Sequence, residues 1–136
     1  MKEILVDTNV IMRLFDTTSE PAQTAKAKTL FLEARTGRCV LAIAPPVLFE
    51  VAWVLRSALK WSNSEVLDVL EAIINWPGVK VFDKDYVKMA LSLGRKHNNG
   101  FADSYLAVAA KDHNLEVATF NENHFNKLGI ELHEMK

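Results

Sequence analysis

Ile4-Leu5-Val6-Asp7-Thr8-Asn9 is the stretch on which the fold turns. Its three apolar residues run consecutively instead of alternating, which suits a strand covered on both faces, as in a parallel sheet. The run stops at an acid followed by residues that start helices, so it reads as a central strand with Asp7 at its carboxyl end. A short helix over about 9–15 is expected next. Ser19-Glu20-Pro21 then opens a longer one that stops at Thr36-Gly37.

Further out the same alternation continues. Cys39 to Ile43 reads as a second strand, and Pro45-Pro46 open a helix of buried character through Leu59. Ser62-Asn63-Ser64-Glu65 caps a helix that carries Val66, Leu67, Val69, Leu70, Ile73 and Ile74 and ends at Pro77-Gly78. Val79 to Phe82 is a third strand, Asp83 to His97 a helix, and Asn98-Asn99-Gly100 a break before a helix from Phe101 to His113. A fourth strand over Glu116 to Thr119, a turn or helix over 122–128 and a last strand over 130–132 complete the chain. Short apolar strands alternating with amphipathic helices predict an α/β fold with a mainly parallel sheet. No repeat or Gly/Ser/Pro-rich linker divides residues 1–136, so one domain is expected.

Half of the 136 residues are apolar (49%) and a quarter charged (24%), enough for one core and too apolar for a disordered chain. The single cysteine, Cys39, cannot form an internal disulfide, and Met1 runs into a strand without a leader-like segment. A reducing, cytoplasmic setting is therefore expected. No apolar run approaches the roughly 20 residues that span a bilayer, so no membrane is expected among the partners. Sixteen basic residues against seventeen acidic ones give a net charge of −1, which argues against holding nucleic acid by a bulk positive field. It leaves room for an enzyme whose acids are concentrated in one site.

Most acids, among them Glu33, Glu65, Asp68, Glu71, Asp112 and Glu116, read as solvated. Three do not. Asp7 lies at the carboxyl end of a strand, where open α/β sheets bind ligands, or else simply caps the next helix. Glu50 has Pro46, Val47, Trp53 and Val54 three and four residues away, an apolar face on which an unpaired carboxylate costs several kcal/mol. A buried ion pair and a bound metal both answer that cost. Asp103 begins the apolar helix Phe101 to Ala110, either complementing its dipole or acting as a ligand. If the three converge, their repulsion demands a cation. Oxygen-only ligation suits Mg²⁺ or Mn²⁺, which polarises a phosphoryl oxygen and orients water for in-line attack. There is no glycine-rich phosphate loop, no Gly-x-Ser-x-Gly elbow and no histidine-rich zinc motif.

In this order, Leu5-Val6-Asp7-Thr8-Asn9-Val10, Pro45-Pro46-Val47-Leu48-Phe49-Glu50-Val51, Phe101-Ala102-Asp103-Ser104-Tyr105-Leu106-Ala107-Val108-Ala109 and Ala118-Thr119-Phe120-Asn121-Glu122-Asn123-His124-Phe125 resemble the PIN domain. The length and the start resemble the VapC toxins of toxin–antitoxin pairs. The resemblance implies a Rossmann-like three-layer α/β/α fold and a Mg²⁺- or Mn²⁺-dependent endoribonuclease. It also implies an RNA substrate, a cognate antitoxin and a homodimer. Its first three acids carry over to Asp7, Glu50 and Asp103 as metal ligands. The fourth position departs: Asn121 stands where an aspartate is frequent, with His124 where an acid also occurs and Glu122 beside it. An asparagine there ligates or holds a water without adding charge.

Around this site, Thr8, Asn9, Thr119 and Ser104 are candidate hydrogen-bonding or phosphate-contacting residues. Arg13, Arg35, Arg38, Lys84 and Lys88 are candidate rim charges for RNA. Trp53 is expected in the core and Trp61 at an interface. Two other functions stay open: a PIN-like RNA- or protein-binding module with weak or no catalysis because of Asn121, and a receiver-like phosphoacceptor. The latter fits poorly, because a receiver keeps an acidic pair where this chain has only Asp7.

Overall fold

Ile4 and Leu5 of the opening stretch end β1 (Lys2–Leu5), the first strand in the computed structural model, which describes residues 1–136. Asp7 then caps α1 (Thr8–Met12), accepting a hydrogen bond from the Thr8 amide at 2.7 Å. Proline at the first turn starts α2 (Pro21–Arg35), followed by β2 (Cys39–Ile43) and by α3 (Pro45–Ser57), which two prolines open. In α4 (Asn63–Ile74) the expected cap is complete: the Ser62 hydroxyl accepts from the Glu65 amide, and the Glu65 carboxylate accepts from the Ser62 amide. Then come β3 (Val79–Val81), α5 (Lys84–His97), α6 (Phe101–His113) and α7 (Glu122–Asn126). Asn98 and Asn114 close α5 and α6 in the left-handed conformation, which asparagine tolerates.

The three strands are parallel, in the order β1-β2-β3, with Leu5 opposite Ala42 and Ile43 opposite Val81. The central strand is therefore β2, whereas the sequence pointed to the strand holding Ile4 to Val6. The outer edge of β1 carries no strand. Residues 116–119 and 130–132, expected as the fourth and fifth strands, make one parallel bridge, Val117 with Leu132. Their backbone groups pair with each other, Val117 N–H to the Glu131 carbonyl (3.0 Å) and His133 N–H to the Val117 carbonyl (2.8 Å). Leu5 accordingly stays 66% exposed instead of being covered on both faces.

The main core joins Leu41 and Ile43 of β2 to Leu48, Val51 and Leu55 of α3, Leu67 and Leu70 of α4, and Val87 of α5. Cys39 is buried in β2. A separate small core packs Ala107 and Ala110 of α6 against Phe125, Leu128 and Ile130. No helix is long and apolar enough to cross a membrane. Because the strands are parallel, Asp7 after β1 and the start of α3 after β2 lie at the same, carboxyl end of the sheet, where α/β folds place ligands.

Candidate active-site cleft

A cleft of about 1030 Å³ opens between α3, the start of α4, the Asn98–Gly100 turn with the start of α6, and α7. Glu50 and Asp103 both line it, together with Trp53, Arg56, His124 and Lys127. Two acids from helices far apart in sequence thus line one cleft.

Glu50 is exposed, because α3 buries the stripe Pro45, Leu48, Val51 and Leu55 on another face. Of the apolar neighbours that suggested a desolvated carboxylate, Pro46 and Trp53 line the cleft themselves, while Val47 and Val54 pack against the main core. Trp53 is 70% exposed, where the sequence placed it in the core. Trp61 is the half-buried one, set edge-on against Phe15 at 5.7 Å.

Asp103 sits in the first turn of α6, where free amide groups favour a negative charge. Its carboxylate meets the His124 Nδ1 at 2.8 Å, with 30% of its side chain exposed. His124 is held in turn: the buried Asn99 donates from its amide nitrogen to the His124 carbonyl (2.8 Å), and Asn63 donates to the Asn99 carbonyl (2.9 Å). This chain ties α4, the turn before α6 and α7 together beneath Asp103.

Asp7 and Asn121 do not line the cleft. Asp7 is exposed and caps α1. Asn121 is exposed before α7, its amide donating to the Thr119 hydroxyl at 2.9 Å, and Glu122 is exposed beside it. Ser104 is fully buried, so it cannot meet a phosphate. None of Arg13, Arg35, Arg38, Lys84 and Lys88 reaches the cleft. Arg13 bonds to Gln23 and pairs with Asp16, and Arg35 lies over Trp76. The cleft's cations are Arg56 and Lys127, which the sequence reading passed over. Glu50, Trp53 and Arg56 follow each other at three-residue steps along α3, a spacing visible in the sequence that places them on neighbouring turns.

No three histidine, cysteine, aspartate or glutamate side chains stand close enough to hold one ion. The expected trio is not gathered, since Asp7 lies outside the cleft. A pair of carboxylates does suit Mg²⁺, which keeps several waters and takes one or two protein carboxylates beside a phosphate. Glu50 and Asp103 have the donor type such a pair needs and line one cleft.

Comparison with known proteins bears on this arrangement. The PIN domain family model matches residues 4–131. Over 127 residues, 93% of this chain and 92% of the other, the sequence is 28% identical to a VapC ribonuclease of Aquifex aeolicus (strain VF5). A chain of a toxin–antitoxin complex from Klebsiella pneumoniae aligns in three dimensions over 90% of this chain and 89% of its own, with a TM-score of 0.35 and 22% identity.

Proposed function

Since the chain belongs to the PIN-domain family, we propose that it is a VapC-like endoribonuclease that hydrolyses RNA phosphodiester bonds with water as the attacking group. The observation that carries this is that Glu50 and Asp103 line one cleft together with Arg56 and Lys127, which are free of any acidic partner. The likeness to a ribonuclease of similar length supports it.

Glu50 and Asp103 would hold a Mg²⁺ or Mn²⁺ ion, with Asp7 as the third carboxylate. Its place in the set comes from the PIN resemblance and from its position at the carboxyl end of β1. The ion, when bound, supplies a Lewis acid that polarises a phosphoryl oxygen and lowers the pKa of a water. Asp103 is oriented by His124 and by the start of α6. Arg56 and Lys127 offer positive charge to phosphates in the same cleft. Because water attacks, no serine or cysteine nucleophile is needed, and the products are a 5′-phosphate and a 3′-hydroxyl. An antitoxin protein and a second copy of the chain are the proposed partners, in a cytoplasmic setting.

A second reading, an RNA- or protein-binding module with little catalysis, draws on Asp7 capping α1 outside the cleft and on Asn121 bringing no charge. Cleavage of a labelled RNA in Mn²⁺ decides between them. Asp7→Asn, Glu50→Gln and Asp103→Asn are each expected to slow cleavage a hundredfold or more, and Asn121→Ala severalfold. If wild type and all three acid variants leave the RNA equally intact, the binding module replaces the nuclease. If Asp7→Asn alone cleaves like wild type, Asp7 is a cap and nothing more.

A further inference from the structure

Trp53 is the largest exposed side chain of the cleft, and nothing in the fold uses it. It stacks on no other ring, no cation lies over its face and its indole N–H has no acceptor. The other two tryptophans are engaged: Trp61 with Phe15, and Trp76 with Phe31, Arg35 and the Phe31 carbonyl. An indole left 70% in water costs solvation and gains no packing, so its place beside the acids calls for a ligand.

The surroundings say which kind. Glu50, Trp53 and Arg56 step along α3 at three-residue intervals, so the indole stands between the carboxylate and the guanidinium. Arg56 reaches the Trp61 carbonyl at 3.3 Å and pairs with no acid, and Lys127, which also lines the cleft, pairs with none either. An apolar ring with a guanidinium on one side, in a cleft that also holds the unpaired Lys127, offers a face to the base of an unpaired nucleotide and cations to its phosphates, with the Glu50 carboxylate on the ring's other side. Every base offers a π-face to an aromatic ring, whereas the bases of a duplex are already stacked on one another.

We propose that Trp53 is a base-stacking platform, which holds one unpaired nucleotide of a single-stranded RNA beside Glu50 and Asp103 while Arg56 and Lys127 take the adjoining phosphates. The proposal rests on the ribonuclease reading for its substrate. A second copy of the chain seated on Trp53 is the competing occupant. The charge pattern favours the nucleotide.

The test compares wild type, Trp53→Ala and Trp53→Phe. Binding of a fluorescein-labelled oligouridylate is measured in calcium buffer, beside an abasic ribose-phosphate strand of equal length and an RNA duplex. Quenching of tryptophan fluorescence, cleavage kinetics in Mn²⁺ and sedimentation are read in parallel. Trp53→Ala is expected to weaken oligouridylate binding about five- to a hundredfold and Trp53→Phe less. Binding of the abasic strand should be unchanged, KM should rise at nearly constant kcat, and the quenching should vanish in both variants. Equal oligouridylate affinity in wild type and Trp53→Ala overturns the proposal, as does a change in sedimentation without a change in RNA affinity, which assigns Trp53 to a dimer. If wild type binds the strand through Trp53 and leaves it uncut, the platform stands and the ribonuclease reading falls. If it neither binds nor cuts, both fall.

Discussion

Tyr86 shows how a single half-buried residue can tie stability to pH. Its hydroxyl donates to the Asp112 carboxylate and lies 3.0 Å from the His113 ring. The bond to Asp112 holds the phenol in its neutral form, so its pKa is pushed up from 10.0 to about 12. A folded value above the unfolded one means that the stabilisation is complete below pH 10 and disappears as the pH climbs through about 12. Tyr86→Phe should remove that alkaline loss, leaving Tyr105, itself raised by burial, as the only tyrosine to titrate. Tyrosinate absorbance and thermal unfolding followed across this window check it, and an unchanged alkaline slope in the variant refutes it. The same scale shows why the site was only partly legible in the sequence. Glu50 and Asp103 stood out because acids amid apolar residues are rare, and both face the cleft. The reason given for Glu50 was nonetheless wrong: a run of apolar letters hides which of them face water, and Trp53, taken for core, faces the cleft too. Asp7 is of a residue type that serves as cap or as ligand, and one of its carboxylate oxygens caps α1.

At the scale of elements, local signals did most of the placing. Ser62 and Glu65 form the reciprocal cap that their spacing announced, and prolines open α2 and α3 as their fixed backbone angle allows. Ser62→Ala is expected to cost about 1 kcal/mol of stability, read as a lower midpoint in denaturant. The Ser62 hydrogen bonds also hold the Glu65 carboxyl below its ordinary value. Their contribution is therefore present above the unfolded pKa and fades as the pH falls through the lower folded one, so the variant's deficit should shrink in acid. Gly78 presents the opposite case, a residue required by its backbone. Its φ is +87°, and an added Cβ would collide with the Ala34 carbonyl, because the turn after α4 passes directly over the end of α2. Gly78→Ala should destabilise by about 1–3 kcal/mol; a midpoint equal to wild type would mean that the turn has room to shift. Pairing partners, by contrast, are not written in local signals. Residues 116–119 have strand composition, yet their hydrogen bonds run to the following segment and not to β1, and no short-range pattern distinguishes the two outcomes.

For the molecule as a whole, the near-neutral charge has local structure: Glu50 and Asp103 share one cleft with the unpaired Arg56 and Lys127, while Arg95 with Asp68 and Glu71 cancels elsewhere. The packing is divided as well. The main core runs from β2 through α3, α4 and α5, whereas Phe125, Leu128 and Ile130 close a separate small core against α6. Because β1 carries no further strand, the chain beyond α6 is held by that small core, by the Asn99 and Asp103 contacts to His124 and by the Val117 bridge. Regions with few buried apolar contacts open before the global transition. Phe125→Ala removes the largest member of the small core, a truncation that costs about 3–5 kcal/mol where packing is tight. Amide hydrogen exchange should therefore accelerate across residues 115–132 while α4 and β2 keep their protection. His124 sits next to Phe125 and bonds to Asp103, so the same variant should lose cleavage activity without losing its global fold. Equal acceleration in α4 and in the last segment would show instead that the two cores unfold as one cooperative unit.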